Sequence, residues 1–231
     1  MPLEEISINP SSASGTLYLL DTPVFSPPFA ELYNREALRT AKRISNPGCF
    51  ATNSQLLLAP LLPYLAAQPT VFAISGYSGA GTKAGSEPKV SAESLHGGVR
   101  PYSLTDHIHE REAGFHLSSL LAEPAKDPFS IAFIPAVAPW FQGILSTVSA
   151  PLKEEMRAGD IRKLFEERYA QDRLVKIVAG VPEIKDISGK NGVRIGGFQV
   201  HSSGRRVVAV VSPLFVWRLE DAADGGAGRV G

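Results

Sequence analysis

Apolar residues along the chain fall into patterns with different periods, and the periods predict the elements. From Ala51 to Ala67, "ATNSQLLLAPLLPYLAA", apolar residues face nearly all sides, as in a mostly buried helix, with Pro60 and Pro63 bending its end. Residues 158–172, "AGDIRKLFEERYAQD", are amphipathic instead. Ile161, Leu164, Phe165 and Tyr169 share one face, and Asp160 is the expected N-cap. Shorter helices are predicted over 31–42, within "EPKVSAESLHGG" up to its glycine pair, and from about Glu110 to Ala122. Apolar and β-branched runs predict strands at "TVFAIS" (70–75), "FSIAFIPAV" (129–137), "GILSTVSAPL" (143–152), "LVKIVA", "GVRIGGFQVHS" and "RRVVAVVS", and "RISNPGC" reads as a short strand running into a turn. Strands and helices mixed in this order predict an α+β architecture, a mixed sheet with helices on one face. Residues 1–30, with "NPSSASG" and "TPVFSPP", carry turn and loop chemistry, and the Gly-rich polar stretch at 212–231 has no clean period and reads as a poorly ordered tail. The expected division is therefore an atypical segment at 1–30, a catalytic or dimerisation domain at 31–211 and an atypical tail at 212–231.

Composition narrows the function classes. The 231 residues are 44% hydrophobic, enough for a substantial core. The formal net charge of zero argues against nucleic-acid binding and against a polybasic membrane surface. No stretch approaches the roughly 18 apolar residues of a membrane span. A single cysteine cannot form an internal disulfide, which points to a reducing compartment. The first 30 residues contain no Lys or Arg but include Glu4, Glu5 and Asp21, unlike a secretory signal or a mitochondrial transit peptide.

That cysteine, Cys49, is the candidate centre of chemistry. It follows Pro47-Gly48 and opens the apolar helix, where backbone N–H groups and partial positive charge favour a thiolate. A lone cysteine is also among the residue types most often buried for packing alone, and both readings stand at this point. A nucleophilic thiol needs a base. The histidines are His96, His107, His109, His116 and His201; "DHIHE" (106–110) sets His107 and His109 on one side of an extended segment, with Asp106 and Glu110 able to orient a ring. A metal site is the alternative for the pair, but two histidines with no third ligand of suitable spacing make a weak zinc case. His116 reads as structural, His96 as a helix end and His201 as a strand edge. The loop "GYSGAGTKAG" (76–85) can bring backbone close to a ligand, although it is neither a GxGxxG turn nor a P-loop. Arg100 and Lys83 are candidate anion binders.

Taken in order and spacing, "NPGCFAT", "SGYSGAGTKAG", "RPYSLTDHIHE" and "AFIPAVAPWFQGILSTV" resemble N-acetyl-gamma-glutamyl-phosphate reductase, in the form found in fungal arginine biosynthesis, over about residues 31–211. The resemblance implies the catalytic domain of the glyceraldehyde-3-phosphate and aspartate-semialdehyde dehydrogenase type. It implies NADPH-dependent reduction of N-acetylglutamyl 5-phosphate to the 5-semialdehyde through a thioester on Cys49, with His107 as acid/base. Asn46, Arg100, His109 and Glu110 are the implied substrate-binding residues, and Ser75, Gly76, Ser78, Gly79 and Gly81 the implied cofactor-binding ones. No metal is implied. The implied partners are a small-molecule substrate and further copies of the chain, and the implied location is the mitochondrial matrix. Aspartate-semialdehyde dehydrogenase shares the cysteine and histidine logic and is the sister reading; a non-catalytic dimerisation module is the other.

The chain also departs from this family. No strand, glycine turn and helix of the dinucleotide-binding kind precedes Cys49, and "SPLFVWRLEDAADGGAGRVG" stands where the family continues into a further helix. The expectation is a catalytic core lacking most of the Rossmann domain and impaired in reduction when alone. Glu110-Arg111 differs from the bacterial pattern after the second histidine.

Overall fold

A computed structural model of the chain describes residues 47–80, 90–121, 129–187 and 192–213. The predicted helix at 31–42, the strand before Pro47, Asn46, Gly81, Lys83 and residues 1–30 and 214–231 lie outside these residues; Ser212 and Pro213, expected in the tail, end β7. The chain runs α1 (Cys49–Leu58), β1 (Thr70–Gly76), α2 (Ala92–Leu95), β2 (Arg100–Pro101), α3 (Ile108–Ser118), β3 (Ala132–Ala138), β4 (Ile144–Pro151), α4 (Ala158–Arg168), β5 (Val175–Ile177), α5 (Ile184–Ile187), β6 (Val193–Val200) and β7 (Arg206–Pro213). The strands form one mixed seven-stranded sheet in the order β2-β3-β1-β4-β7-β6-β5. β1–β3 and β5–β6 are parallel, and the other neighbours are antiparallel. Strands of two and three residues at the two edges leave little unpaired backbone to recruit another chain edge to edge.

Alternation decides which face is the core. Val71 of β1 pairs with Phe133 and Val148, and Ser146 and Val148 of β4 pair with Val211 and Ala209 of β7. All six are buried, as are Leu56, Leu57 and Leu58 of α1, which packs on β4 and β7. Truncating one of these leucines to alanine costs ~2–5 kcal/mol. The side chains at alternate positions point the other way. Phe72, Ile74, Ile134, Leu145 and Val208 line that second face; Phe72 is 38% exposed and the others are partly exposed. α5 packs on β7 at the Ser212 end of this face, and the stripe around Phe72 stays exposed.

Three boundaries differ from expectation, each for a local reason. The α-helix opened by Cys49 ends at Leu58 and continues as a 3-10 turn over Ala59–Tyr64, short of Ala67. Pro60 lacks the N–H that would bond the Leu56 carbonyl, and the buried Tyr169 hydroxyl donates to that oxygen instead at 2.8 Å. Asp160 is not the N-cap of α4, which begins at Ala158; its carboxylate accepts from the Arg157 N–H at 3.2 Å, tying down the first turn from inside. Helix α3 begins at Ile108 rather than Glu110, because His107 caps it: its Nδ1 accepts from the His109 N–H at 3.1 Å. Histidine is not a favoured N-cap, so no propensity signals this start.

Candidate active site

Cys49 is the first residue of α1, with Gly48 as its extended N-cap and no capping side chain. The Thr52 N–H bonds the Gly48 carbonyl, so the turn closes just behind the thiol. Phe50 points inward, 3% exposed, and organises a ring cluster. Its centroid lies 5.3 Å from Phe133, 5.8 Å from His109 and 6.3 Å from His107. His107 and His109 are 4.8 Å apart, and Tyr102 stands edge-on to His107 at 5.7 Å. The pair thus converges beside α1 from a helix N-terminus rather than from an extended segment.

Gly48 is gripped from two sides. The His109 ring lies so close that a Cβ on Gly48 would be 2.1 Å from its Nε2, which leaves glycine as the residue that fits. The Gly48 N–H donates to Oε1 of the buried Glu112 at 3.0 Å. His109 and Glu112 are three apart on α3 and so lie on one helical face.

Electrostatics at the cluster are set mainly by burial. The half-buried Cys49 thiol is pushed up to about 11 by burial; bonds from the Phe50 and Cys49 backbone N–H groups oppose this, and the Glu112 charge adds to it. The helix terminus therefore acts in the expected direction and is outweighed. Burial lowers His107, and burial together with His107 lowers His109 to about 3. Both rings are neutral at pH 7. Because His107 Nδ1 accepts a hydrogen bond, its neutral form carries the proton on Nε2. His109, 6% exposed, has no hydrogen-bond partner at either ring nitrogen among the described residues. Burial, then the thiolate charge, raises the Tyr102 hydroxyl.

The other candidates sit elsewhere on the sheet. Arg100 of β2 and Ser75 of β1 both pair with Val137 of β3, so the anion-binding candidate and the glycine loop share one sheet end. Val137 is four residues along β3 from Phe133, about 13 Å of strand. The loop after β1 is fixed by loop 139–143. The Gly76, Tyr77 and Ser78 N–H groups donate to the carbonyls of Gly143, Trp140 and Phe141. A Cβ on Gly76 would meet the Phe141 carbonyl at 2.7 Å, and one on Gly79 the Ser75 hydroxyl at 2.6 Å. Ser75 donates to the Gly76 carbonyl, whereas the buried Ser78 hydroxyl has no partner among the described residues. One Glu110 oxygen accepts from the Phe133 N–H at 3.2 Å, so this carboxylate joins α3 to β3. His96 is a left-handed helix end, His201 bonds Ser203 in the β6–β7 turn, and His116 sits in the last turn of α3. Among the described residues no group of three or more His, Cys, Asp and Glu could hold a metal ion, and no helix is long and apolar enough to cross a membrane. Tyr102 and Glu112 were not singled out from sequence. The spacing of Glu112 from His109 was visible there, but its tie to Gly48 spans 64 residues.

The chain belongs to the semialdehyde dehydrogenase dimerisation-domain family, whose model matches residues 49–212. Within it the chain is similar to N-acetyl-gamma-glutamyl-phosphate reductase of Xanthomonas euvesicatoria, 43% identical over 74% of this chain and 50% of that protein. It is 50% identical to Protein arg-6, mitochondrial, of Neurospora crassa over 77% of this chain and 19% of that protein. The chain thus spans between a fifth and a half of the length of these relatives. Aspartate semialdehyde dehydrogenase from Francisella tularensis shares the fold, with a TM-score of 0.62 at 13% identity over 85% of this chain and 67% of that one.

Proposed function

We propose that this chain is the catalytic core of an N-acetyl-gamma-glutamyl-phosphate reductase, acting in arginine biosynthesis in the mitochondrial matrix. The observation that carries the reading is the placement of Cys49 as first residue of α1, between Gly48, against which His109 packs, and Phe50, whose ring lies beside His107 and His109. The Cys49 thiol gives its proton to the histidine pair as its sulfur attacks the acyl carbon of N-acetylglutamyl 5-phosphate; the carbon–oxygen bond to phosphate breaks, and phosphate leaves a thioester. The Phe50 and Cys49 N–H groups that bond the sulfur stabilise its anionic form before attack and on release. Reduced nicotinamide adenine dinucleotide phosphate, when bound, would supply the hydride that reduces the Cys49 thioester to a thiohemiacetal. His107, in the imidazolium form left when the thiol gives up its proton, donates from Nε2 to the new oxygen and takes that proton back as the carbon–sulfur bond breaks, releasing the semialdehyde.

The residues proposed to border the cofactor are Ser75, Gly76, Ser78, Gly79 and Gly81. The unpaired, buried Ser78 hydroxyl fits a polar partner there. Asn46, Arg100, His109 and Glu110 are proposed on the substrate side, with Glu110 acting through its hold on β3. The described residues contain one mixed sheet and no doubly wound parallel unit, so they account for acyl transfer rather than for dinucleotide binding. The apolar stripe around Phe72 supports assembly into a homo-oligomer through the uncovered sheet face.

Acyl transfer is testable without cofactor. Mixing the chain with the acyl phosphate should release about one equivalent of phosphate and add the acyl mass at Cys49, and Cys49→Ser should abolish both. Phosphate release without an adduct at Cys49, or an adduct that survives the substitution, would sink the assignment.

A further inference from the structure

The carboxylate of Glu112 sits where neither the helix terminus nor the histidine pair requires one. It is 4% exposed, it reaches across from α3 to accept the Gly48 N–H at 3.0 Å, and Gly48 is the residue before the nucleophile. One turn earlier on the same face, His109 packs on the Gly48 Cα. Two groups of one helix thus hold one glycine of another, and Gly48 carries no side chain to make that hold itself. α1 also lacks a capping side chain at its own N-terminus, so this bond from α3 fixes the geometry of its first turn.

We propose that Glu112 is a positioning residue for Cys49: by holding the Gly48 amide it fixes the first turn of α1 against the histidine pair, and its charge restrains the reactivity of the neighbouring thiol. This rests on the assignment of Cys49 as nucleophile. The other titratable groups of the cluster beside the first turn of α1 are Tyr102, His107 and His109. Both histidines are neutral at pH 7, and the Tyr102 hydroxyl is raised, so none of them adds charge there. Glu112 is the acidic group whose negative charge opposes ionisation of the sulfur. It therefore has two separable effects, one through its hydrogen bond and one through its charge.

Substitution separates them. Glu112→Gln keeps an oxygen for the Gly48 amide and removes the charge. Glu112→Ala removes both, and Glu112→Asp keeps the charge but withdraws it by one methylene. The rate of Cys49 alkylation by iodoacetamide at pH 8, read by mass spectrometry, should rise at least about threefold in the Gln variant, because more of the thiol is then ionised. Exchange of the Gly48 amide should stay slow in the Gln variant and become fast in the Ala and Asp variants. A purely structural role would leave the alkylation rate of the Gln variant within about twofold of the parent, and that result overturns the proposal. So does a Gly48 amide as protected in the Ala variant as in the parent. If Gln does not fold, the Asp variant decides alone: fast exchange at Gly48 supports the proposal and parent-like protection overturns it. Loss of the acyl adduct in the parent chain would instead sink the nucleophile assignment, and these readouts do not depend on that adduct.

Discussion

The Tyr169 hydroxyl provides a stability prediction whose size follows from the structure. Pro60 removes the donor that an α-helix would aim at the Leu56 carbonyl, and Tyr169, 3% exposed and about a hundred residues later in the chain, supplies the replacement at 2.8 Å. Tyr169→Phe keeps the ring and its packing on Phe165 while stripping the donor from a buried oxygen. Leaving a buried acceptor unpaired costs about 1–3 kcal/mol, so a loss near ~2 kcal/mol is expected. For a chain of this size that lowers Tm by about 4–8 °C. The decisive assay is a double-mutant cycle by urea denaturation. Pro60→Ala restores an N–H within reach of the Leu56 carbonyl, and in that background Tyr169→Phe should cost less than about 1 kcal/mol. An equal cost in both backgrounds would show that the hydroxyl does not substitute for the proline's missing donor, and a neutral Tyr169→Phe would refute the reasoning outright.

Two further outcomes follow from burial. His109 is lowered to about 3, so between its ordinary value of 6.5 and pH 3 the unfolded chain binds the extra proton and stability should fall as pH falls through that window. The loss is of order several kcal/mol, and His109→Asn should flatten it; a parallel pH–stability curve for parent and variant, by thermal unfolding, would contradict this. On the uncovered sheet face, Phe72→Asp should shift the chain to a smaller assembly in sedimentation equilibrium, and equal masses for parent and variant would remove that face as the contact.

What sequence reveals here depends on how local each signal is. The strands were legible because β-branched, alternating runs such as those at 70–75 and 206–213 sit between turns, and their period alone assigns one face to the core. The start of α1 was equally local, since a Pro-Gly pair directly precedes the apolar run. The start of α3 was not, because His107 performs by side-chain geometry a capping task that serine or aspartate usually signals. The early end of the α-helical stretch was half legible: Pro60 announced a break, but the donor that makes the break tolerable comes from α4's far end. At the site, Cys49, His107 and His109 could be named from motifs, whereas Glu112 and Tyr102 acquire meaning only when α3 and the loop before it fold onto Gly48 and Cys49. Arg100 and Ser75 are joined only through their shared partner Val137, a relation set by strand order and absent from either local motif.

The arrangement of the ring cluster also constrains how the proton moves. With Nδ1 engaged in capping α3, neutral His107 holds its proton on Nε2, and only its protonated form is a useful acid. Burial makes it a weak acceptor, and the same cause holds the thiol up to about 11, so in this state the cluster leaves the thiol protonated. His109, with both nitrogens open, is lowered further still and offers no better base. Thiol activation therefore needs a change that raises a histidine. An acyl phosphate has the sign to do this, since a nearby anion favours the imidazolium. A substrate that raises the acceptor as it docks would couple activation of Cys49 to its own presence, and the protonated ring that results is the acid needed when hydride arrives. Under the proposed acyl transfer, the depressed histidines and the raised thiol would keep the site unreactive while empty, with Glu112 restraining the thiol, and an acyl phosphate would supply the charge that raises a base.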